Sequence, residues 1–427
     1  MRKLKVAIAG LGNRGKDAYA PAVAACGDLM ELTAVADTDE AKVKDVAARY
    51  QIPEKFCFSS AEEMLSQDKL ADVMFICTQD RQHAGHAVAA LEKGYHLLLE
   101  KPVSPDLEEC RQVLAAARKA EKTVIVCHVL RYTPFYRKLK ELLEAGVIGE
   151  IVSVQAAENV GYYHQAHSFV RGNWSNSDAA SPMILQKCCH DMDMLLWLTG
   201  KTCRTVSSFG SLYWFKPENA PEGAAKRCLD GCRAKENCPY DAERFYLYDE
   251  KMGVANGYTG WPVEVLTLHP TVESVRKALQ EGPYGRCVYA CGNNVVDHQV
   301  VNMNMEDGTT VSFTMCGFTA HNARHTKLMG TLGEIEADLH SHLITVRRFG
   351  RPEEVIDVKK TAEDLTGHAG GDVRMMRELA GLLLSGGEPS GSMTTLERSL
   401  ESHYIALAAE KSRLNGGACV EMAEMRG

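Results

Sequence analysis

Residues 3–15 read KLKVAIAGLGNRG, a short apolar run that breaks into Gly10-Leu11-Gly12-Asn13-Arg14-Gly15. This is G-x-G-x-x-G set between an expected strand and an expected helix running to about Cys26, and that placement gives the motif its weight. The first glycine permits a tight turn, the second lets backbone approach a pyrophosphate, and the third allows close helix-strand packing. The helix N-terminus then favours the phosphate charge. The next apolar run, LTAVAD, ends at Asp37, 22 residues after Gly15. A carboxylate there accepts hydrogen bonds from both ribose hydroxyls and repels a 2′-phosphate. The expected cofactor is therefore NAD rather than NADP, held by Gly10, Gly12, Asn13, Arg14, Gly15 and Asp37. Arg14 is the one nearby group suited to a 2′-phosphate.

Working outward, residues 3 to about 128 alternate apolar runs (ADVMFICT, HLLLEKP, TVIVCH) with helix-like stretches. The runs are rich in Val, Ile and Leu without polar alternation, as strands covered on both faces are. The expected fold class is α/β: residues 1–128 form a doubly wound parallel Rossmann sheet. Residues 129–427 form an α+β domain with a mainly antiparallel sheet, including a hairpin at the EDG between NMNM and TTVSFTM. The stretch from about 216 to 297 lacks clear periodicity and reads as a Cys-rich insertion.

The chain has 427 residues, of which 45% are hydrophobic and 24% charged, with a formal charge of −8. That balance argues against a polyanion-binding surface and so against nucleic acid as partner. No run of about 18 apolar residues occurs, so no membrane partner is expected. The short, glycine-broken N-terminal run is not a signal peptide, and a cytoplasmic location is expected. Most of the 15 cysteines should then be reduced thiols. Cys228, Cys232 and Cys238, with Cys287 and Cys291 further on, suit a closed structural zinc site on Cys228, Cys232, Cys238 and Cys287. An iron-sulfur cluster or free thiols are the alternatives, and Cys203 competes as a ligand.

From Glu100-Lys101-Pro102 the chain resembles the Gfo/Idh/MocA family of oxidoreductases, which includes glucose-fructose oxidoreductase and inositol dehydrogenases. The resemblance covers nearly the whole sequence: the glycine motif, CTQDRQH, EKP, RYTPFYRKLKELLEAGVIGEI and CCHDMDMLLWL, which resembles the family's H-D-x-D helix. It implies a Rossmann domain followed by a C-terminal domain with a large open sheet that packs on another subunit, hence a homo-oligomer (dimer or tetramer). It also implies cofactor contacts at Thr78, Gln79, His83, Glu100 and Lys101, and a catalytic pair of Lys101 and His190. Hydride transfer from an alcohol requires the hydroxyl proton to leave as well, which calls for an acid/base beside the nicotinamide. Lys101 would polarise the oxygen and His190 exchange the proton. Inositol-dehydrogenase-like members carry an Asp four residues before the His. Here that position is Gln186, which cannot accept a proton, and Lys187 stands beside it.

Lys187, Tyr163, His167, Arg171 and Trp174 are the candidate contacts to a carbohydrate substrate, with Tyr162 and His164 in the same segment. Aromatic faces stack on sugar rings, and Arg and His bond to hydroxyls or carboxylates. The segment from Gly367 to Asp372 is a further candidate loop. The expected function is NAD-dependent oxidation or reduction of a secondary hydroxyl or ketone of a sugar, glycoside or cyclitol. One alternative is a glycosidase that oxidises C3 transiently, eliminates, adds water and re-reduces. It needs an extra base from residues 162–167. The other alternative is a non-enzymatic NAD-dependent sensor.

Overall fold

The computed structural model describes residues 2–362 and 370–427. Gly367, His368 and Ala369 of the candidate loop lie outside the described residues. Strands β1 (Leu4–Ala9), β2 (Met30–Ala36), β3 (Cys57–Phe58), β4 (Val73–Ile76), β5 (His96–Leu99) and β6 (Val124–Val126) form one sheet in the order β3-β2-β1-β4-β5-β6. All its pairings are parallel. The order reverses at β1, and ligands of open α/β sheets bind beside the strand ends at that point. Burial on both faces explains the unalternating apolar runs: Val6 and Ile8 enter one core cluster, Ala7 and Ala9 the other.

The second sheet has nine strands: β7 (Ile151–Gly161), β8 (Cys203–Ser211), β9 (His298–Met305), β10 (Thr310–Thr319), β11 (Ala323–Gly330), β12 (Gly333–Asp338), β13 (Leu343–Arg348), β14 (Glu354–Asp357) and β15 (Val420–Glu421). Their order is β14-β13-β12-β11-β7-β10-β9-β8-β15, and only β7 and β10 run parallel. The hairpin expected at EDG joins β9 to β10, with Asn304 opposite Thr310. Helices Cys189–Thr199 and Leu396–Leu414 supply side chains to the same core as this sheet.

The chain beyond 370 also returns to the first sheet. Met375, Met376 and Leu379 of helix Gly371–Ser385 join Tyr19 and Val23 in one core cluster. Thr394 O accepts from Val126 N–H at 2.8 Å. Within residues 216–297 the structure places short turns and one helix, Val272–Glu281, around a separate small core that includes Tyr246, Leu247, Val263, Val275 and Leu279. This helix lies in the stretch expected to lack clear periodicity. Its signal is a Thr271–Ser274 capping box.

Candidate active site

The glycine motif turns where β1 ends. Gly10 has φ +95°, and a Cβ there would stand 2.3 Å from Cys77 O. A Cβ on Gly15 would stand 2.0 Å from Gly10 O, while one on Gly12 meets nothing within 4 Å. The first and third glycines are thus demanded by the fold, and the second leaves open space on the turn. Asp37 is held at this turn: its Oδ2 accepts from Leu11 N–H at 2.6 Å and its Oδ1 from Asp39 N–H at 2.8 Å.

Several expected cofactor contacts have other partners. The Arg14 guanidinium reaches Glu100 at 3.0 Å, Asp372 at 2.7 Å and the Tyr19 hydroxyl at 2.8 Å, and Tyr19 also donates to Glu100. Against the cost of burial, Tyr19 and then the Asp372 and Glu100 carboxylates hold the half-buried guanidinium well above its ordinary pKa, and Glu100 stays below the usual carboxylate range. Arg14 and Glu100 thus tie the glycine turn to the end of β5, and the Arg14 guanidinium is already paired with two carboxylates. His83 is 1% exposed, its ring nitrogens 2.7 Å from Pro102 O and 3.0 Å from Thr78 O. It ties the ends of β4 and β5 together. The Thr78 hydroxyl pairs with His86 Nδ1, and Gln79 caps its own turn. Asn13 Nδ2 donates to Glu264 Oε1 at 2.6 Å, so the insertion reaches the glycine turn from 251 residues away. Sequence reasoning had no local signal for that contact.

Lys101 and His190 come into one neighbourhood. Lys101 follows β5, precedes a cis peptide bond to Pro102, and donates through Nζ to Gln186 O at 2.8 Å. That carbonyl ends the short helix Met183–Gln186, four residues before His190 in the next helix, Cys189–Thr199. The His190 ring meets His128 edge to face, with centroids 5.3 Å apart. His128 in turn meets His403, at 5.7 Å. Burial pushes His128 down to about 4, helped by Arg131 and Lys101, so it is neutral near pH 7.

The aspartates of H-D-x-D orient this helix. Asp193 receives two bonds from Arg131, at 2.7 and 2.6 Å, with both side chains buried. Asp191 receives Arg324 at 2.8 and 3.2 Å. Arg324 also pairs with Glu158 at 2.8 Å, and Glu158 with Lys187 at 3.2 Å. Lys187 is thus a partner of a buried carboxylate. Arg131, Glu158 and Arg324 are site-shaping residues that sequence reasoning missed, although Arg131 sits within the quoted RYTP stretch.

The segment 162–174 divides. The Tyr163 hydroxyl accepts from Asn322 Nδ2 at 3.0 Å, and His164 Nδ1 lies 3.1 Å from Asn322 Oδ1, which also accepts from Gly161 N–H at 2.8 Å. An amide oxygen only accepts, so His164 Nδ1 carries the proton and Nε2 is the bare nitrogen. Burial and the Lys187 charge hold His164 well below its ordinary pKa. His167 and Arg171 are each 3% exposed. His167 stacks on Tyr284 at 4.6 Å and bonds the Tyr246 hydroxyl at 2.7 Å. Arg171 donates to Arg286 O and Tyr240 O. Both tie the segment 165–171 to the insertion. Trp174 Nε1 donates to Asp80 at 3.1 Å. Among the described residues no three His, Cys, Asp or Glu side chains are grouped to hold a metal ion. The expected zinc site is therefore not formed as a single-ion ligand set. No described helix is long and apolar enough to cross a membrane.

Comparison with known proteins agrees with this architecture. Residues 4–128 match the Gfo/Idh/MocA model described as "Oxidoreductase family, NAD-binding Rossmann fold". Residues 140–413 match its companion, "Oxidoreductase family, C-terminal alpha/beta domain". The Bacillus subtilis (strain 168) protein YteT, named as an oxidoreductase, is 25% identical over 366 residues, 82% of each chain. An inositol 2-dehydrogenase of Corynebacterium glutamicum is 27% identical over 207 residues, 48% of this chain and 56% of that one. Among solved structures, an oxidoreductase domain protein from Kribbella flavida superposes with TM-score 0.72 at 18% identity, covering 99% of this chain and 100% of the other. The WlbA dehydrogenase of Bordetella pertussis, in complex with NADH and UDP-GlcNAcA, gives 0.68 at 17%, covering 98% and 99%. With both halves matched, the chain belongs to the Gfo/Idh/MocA oxidoreductase family.

Proposed function

We propose that this protein transfers hydride between NAD and a secondary hydroxyl or ketone of a sugar, glycoside or cyclitol. The observation that carries this reading is the Lys101 bond to Gln186 O, which brings the ammonium after β5 to the end of the short helix Met183–Gln186, just before the helix Cys189–Thr199 that carries His190. Bound NAD supplies or takes the hydride. The chain's own residues do the rest: the Gly10–Gly15 turn offers backbone to the pyrophosphate, Asp37 binds the ribose, Lys101 polarises the substrate oxygen, and His190 takes or returns its proton. Lys187 and Tyr163 are the sugar contacts retained from the sequence. Inositol and sugar-nucleotide dehydrogenases among the relatives support the substrate class. The family's open-sheet packing supports a homo-oligomer, a dimer or tetramer, and a cytoplasmic location goes with this metabolism.

One observation favours the transient-oxidation glycosidase as second reading. His164, neutral and with its tautomer set by Asn322, offers the extra base that the elimination needs. Incubation with NAD and a panel of sugars, cyclitols and aryl glycosides, following NADH absorbance and aglycone release together, separates the two. NADH accumulation without release marks the dehydrogenase, and catalytic release without net NADH marks the glycosidase. Silence in both with NAD bound refutes both and leaves the sensor.

A further inference from the structure

One turn of the insertion touches both halves of the candidate site. Val263 is fully buried in the insertion's own small core. The Tyr258 hydroxyl donates to Trp261 O at 2.6 Å and closes residues 258–261 on themselves. From this base two side chains reach outward. The Trp261 ring meets His164 at 4.8 Å, His167 at 5.4 Å and Tyr163 at 6.5 Å between centroids, so it stands against the segment 162–167. Three residues on, Glu264 accepts from Asn13 Nδ2 at 2.6 Å, one position after Gly12 in the glycine turn.

The Glu264 bond joins the insertion to the place where the cofactor's charge must go. The backbone of the glycine turn offers N–H groups to a pyrophosphate, and a Cβ on Gly12 would meet nothing within 4 Å, while the side chain next to it is tied to the insertion. The half-buried Glu264 carboxylate makes its one hydrogen bond among the described residues to this neutral amide. Asp17 and Lys16, both of the helix Asn13–Tyr19, are the charged groups that face it. Burial and the Asp17 charge hold its carboxyl above the usual carboxylate range.

We propose that residues 258–264 form a clasp that holds NAD in its site, with Glu264 as the positioning residue that latches it to Asn13 and Trp261 as the pad that rests on segment 162–167. The clasp must open for NAD to enter or leave, so breaking the latch speeds release. An amide at 264 can keep the bond to Asn13 without placing a charge beside the pyrophosphate. No atom of the clasp takes part in hydride transfer. It sets how long NAD stays, and it depends on NAD binding, not on which substrate is oxidised or reduced.

The test follows NADH leaving the full-length protein, by stopped-flow fluorescence with excess NAD as competitor. Glu264→Ala and Asn13→Ala should each speed release by about 10- to 100-fold, the range for one hydrogen bond to a charged group. The double variant should release no faster than either single one, because both remove the same bond. Glu264→Gln should release NADH as slowly as wild type or more slowly, a rescue that a general loss of folding would not give. Unchanged release in Glu264→Ala overturns the proposal. So does tighter NADH binding in that variant, which would make Glu264 a barrier to the cofactor. If circular dichroism shows that the alanine variants do not fold, hydrogen exchange of the wild type decides: amides within 258–264 should exchange more slowly with NADH bound, and equal exchange with and without NADH overturns the clasp. No sugar enters these measurements, so silence across the carbohydrate panel leaves their result standing.

Discussion

Gly12→Ala should separate cofactor binding from folding. Gly12 has φ −67° and ψ −171°, a conformation open to any residue, and a Cβ there meets nothing within 4 Å. In the apoprotein the substitution should therefore stabilise by about 0.4–1 kcal/mol, through the smaller entropy of the unfolded chain. With NAD the new methyl occupies the space through which the pyrophosphate approaches backbone. Forcing a methyl into a filled site costs about 1–3 kcal/mol, which weakens Kd about 5- to 150-fold. Gly15→Ala is the contrast, because its Cβ would lie 2.0 Å from Gly10 O, a backbone atom that cannot step aside without opening the turn. Thermal melts of the apoproteins and calorimetric titrations with NAD read the two effects. Gly12→Ala should melt at or slightly above the wild-type temperature and bind NAD poorly, whereas Gly15→Ala should melt well below it. Wild-type NAD affinity in a folded Gly12→Ala protein would refute the assignment of this turn to the pyrophosphate.

Lys101→Met and His190→Asn should each lower kcat/KM by about 10²–10⁴-fold while NAD affinity, read by titration, stays near wild type; unchanged turnover in either removes that residue from the mechanism. Asp193→Ala strands the Arg131 charge and should cost about 3–5 kcal/mol in urea denaturation, while the double variant Arg131→Met with Asp193→Leu should recover much of it. A loss under about 1 kcal/mol would show that the pair does not fix the helix. Stability should also fall on acidification: His128, His167 and His403 are held down to about 4, 3 and 3, mainly by burial. The unfolded chain binds these protons first, so stability is full above about pH 6.5 and declines below it by up to about 1.4 kcal/mol per pH unit for each histidine. Denaturation between pH 7 and 5 should show the slope, and His167→Phe should reduce it; an identical slope in that variant would refute burial as its cause.

What the sequence discloses depends on how local the cause is. The glycine turn and β1 are legible because backbone sterics and two-sided burial act within about ten residues. The EDG hairpin is legible for the same reason, through turn chemistry. Lys101 and His190 stand 89 positions apart in the chain, and only family likeness brings them together in advance; the Gln186 carbonyl that joins them in the structure has no side-chain identity to read. Charged side chains are the least legible, because their role depends on which partner is buried with them. Arg171 and His167 have the chemistry of sugar ligands, and the fold also ties them to the insertion, where a guanidinium faces carbonyls and sulfur. Lys187, proposed as a sugar contact, is also paired with Glu158 from β7, a partner that its own stretch of sequence does not reveal. The same logic gives Gln186 its meaning. A carboxylate at 186 would add a negative charge beside Lys187 and compete with Glu158 for it, whereas the amide leaves that pair intact and leaves Lys101 bonded to a neutral carbonyl. Loss of the family Asp is thus balanced by Glu158 in charge but not in position. The proton acceptor must therefore be sought on the imidazoles, His190 first and His164 second.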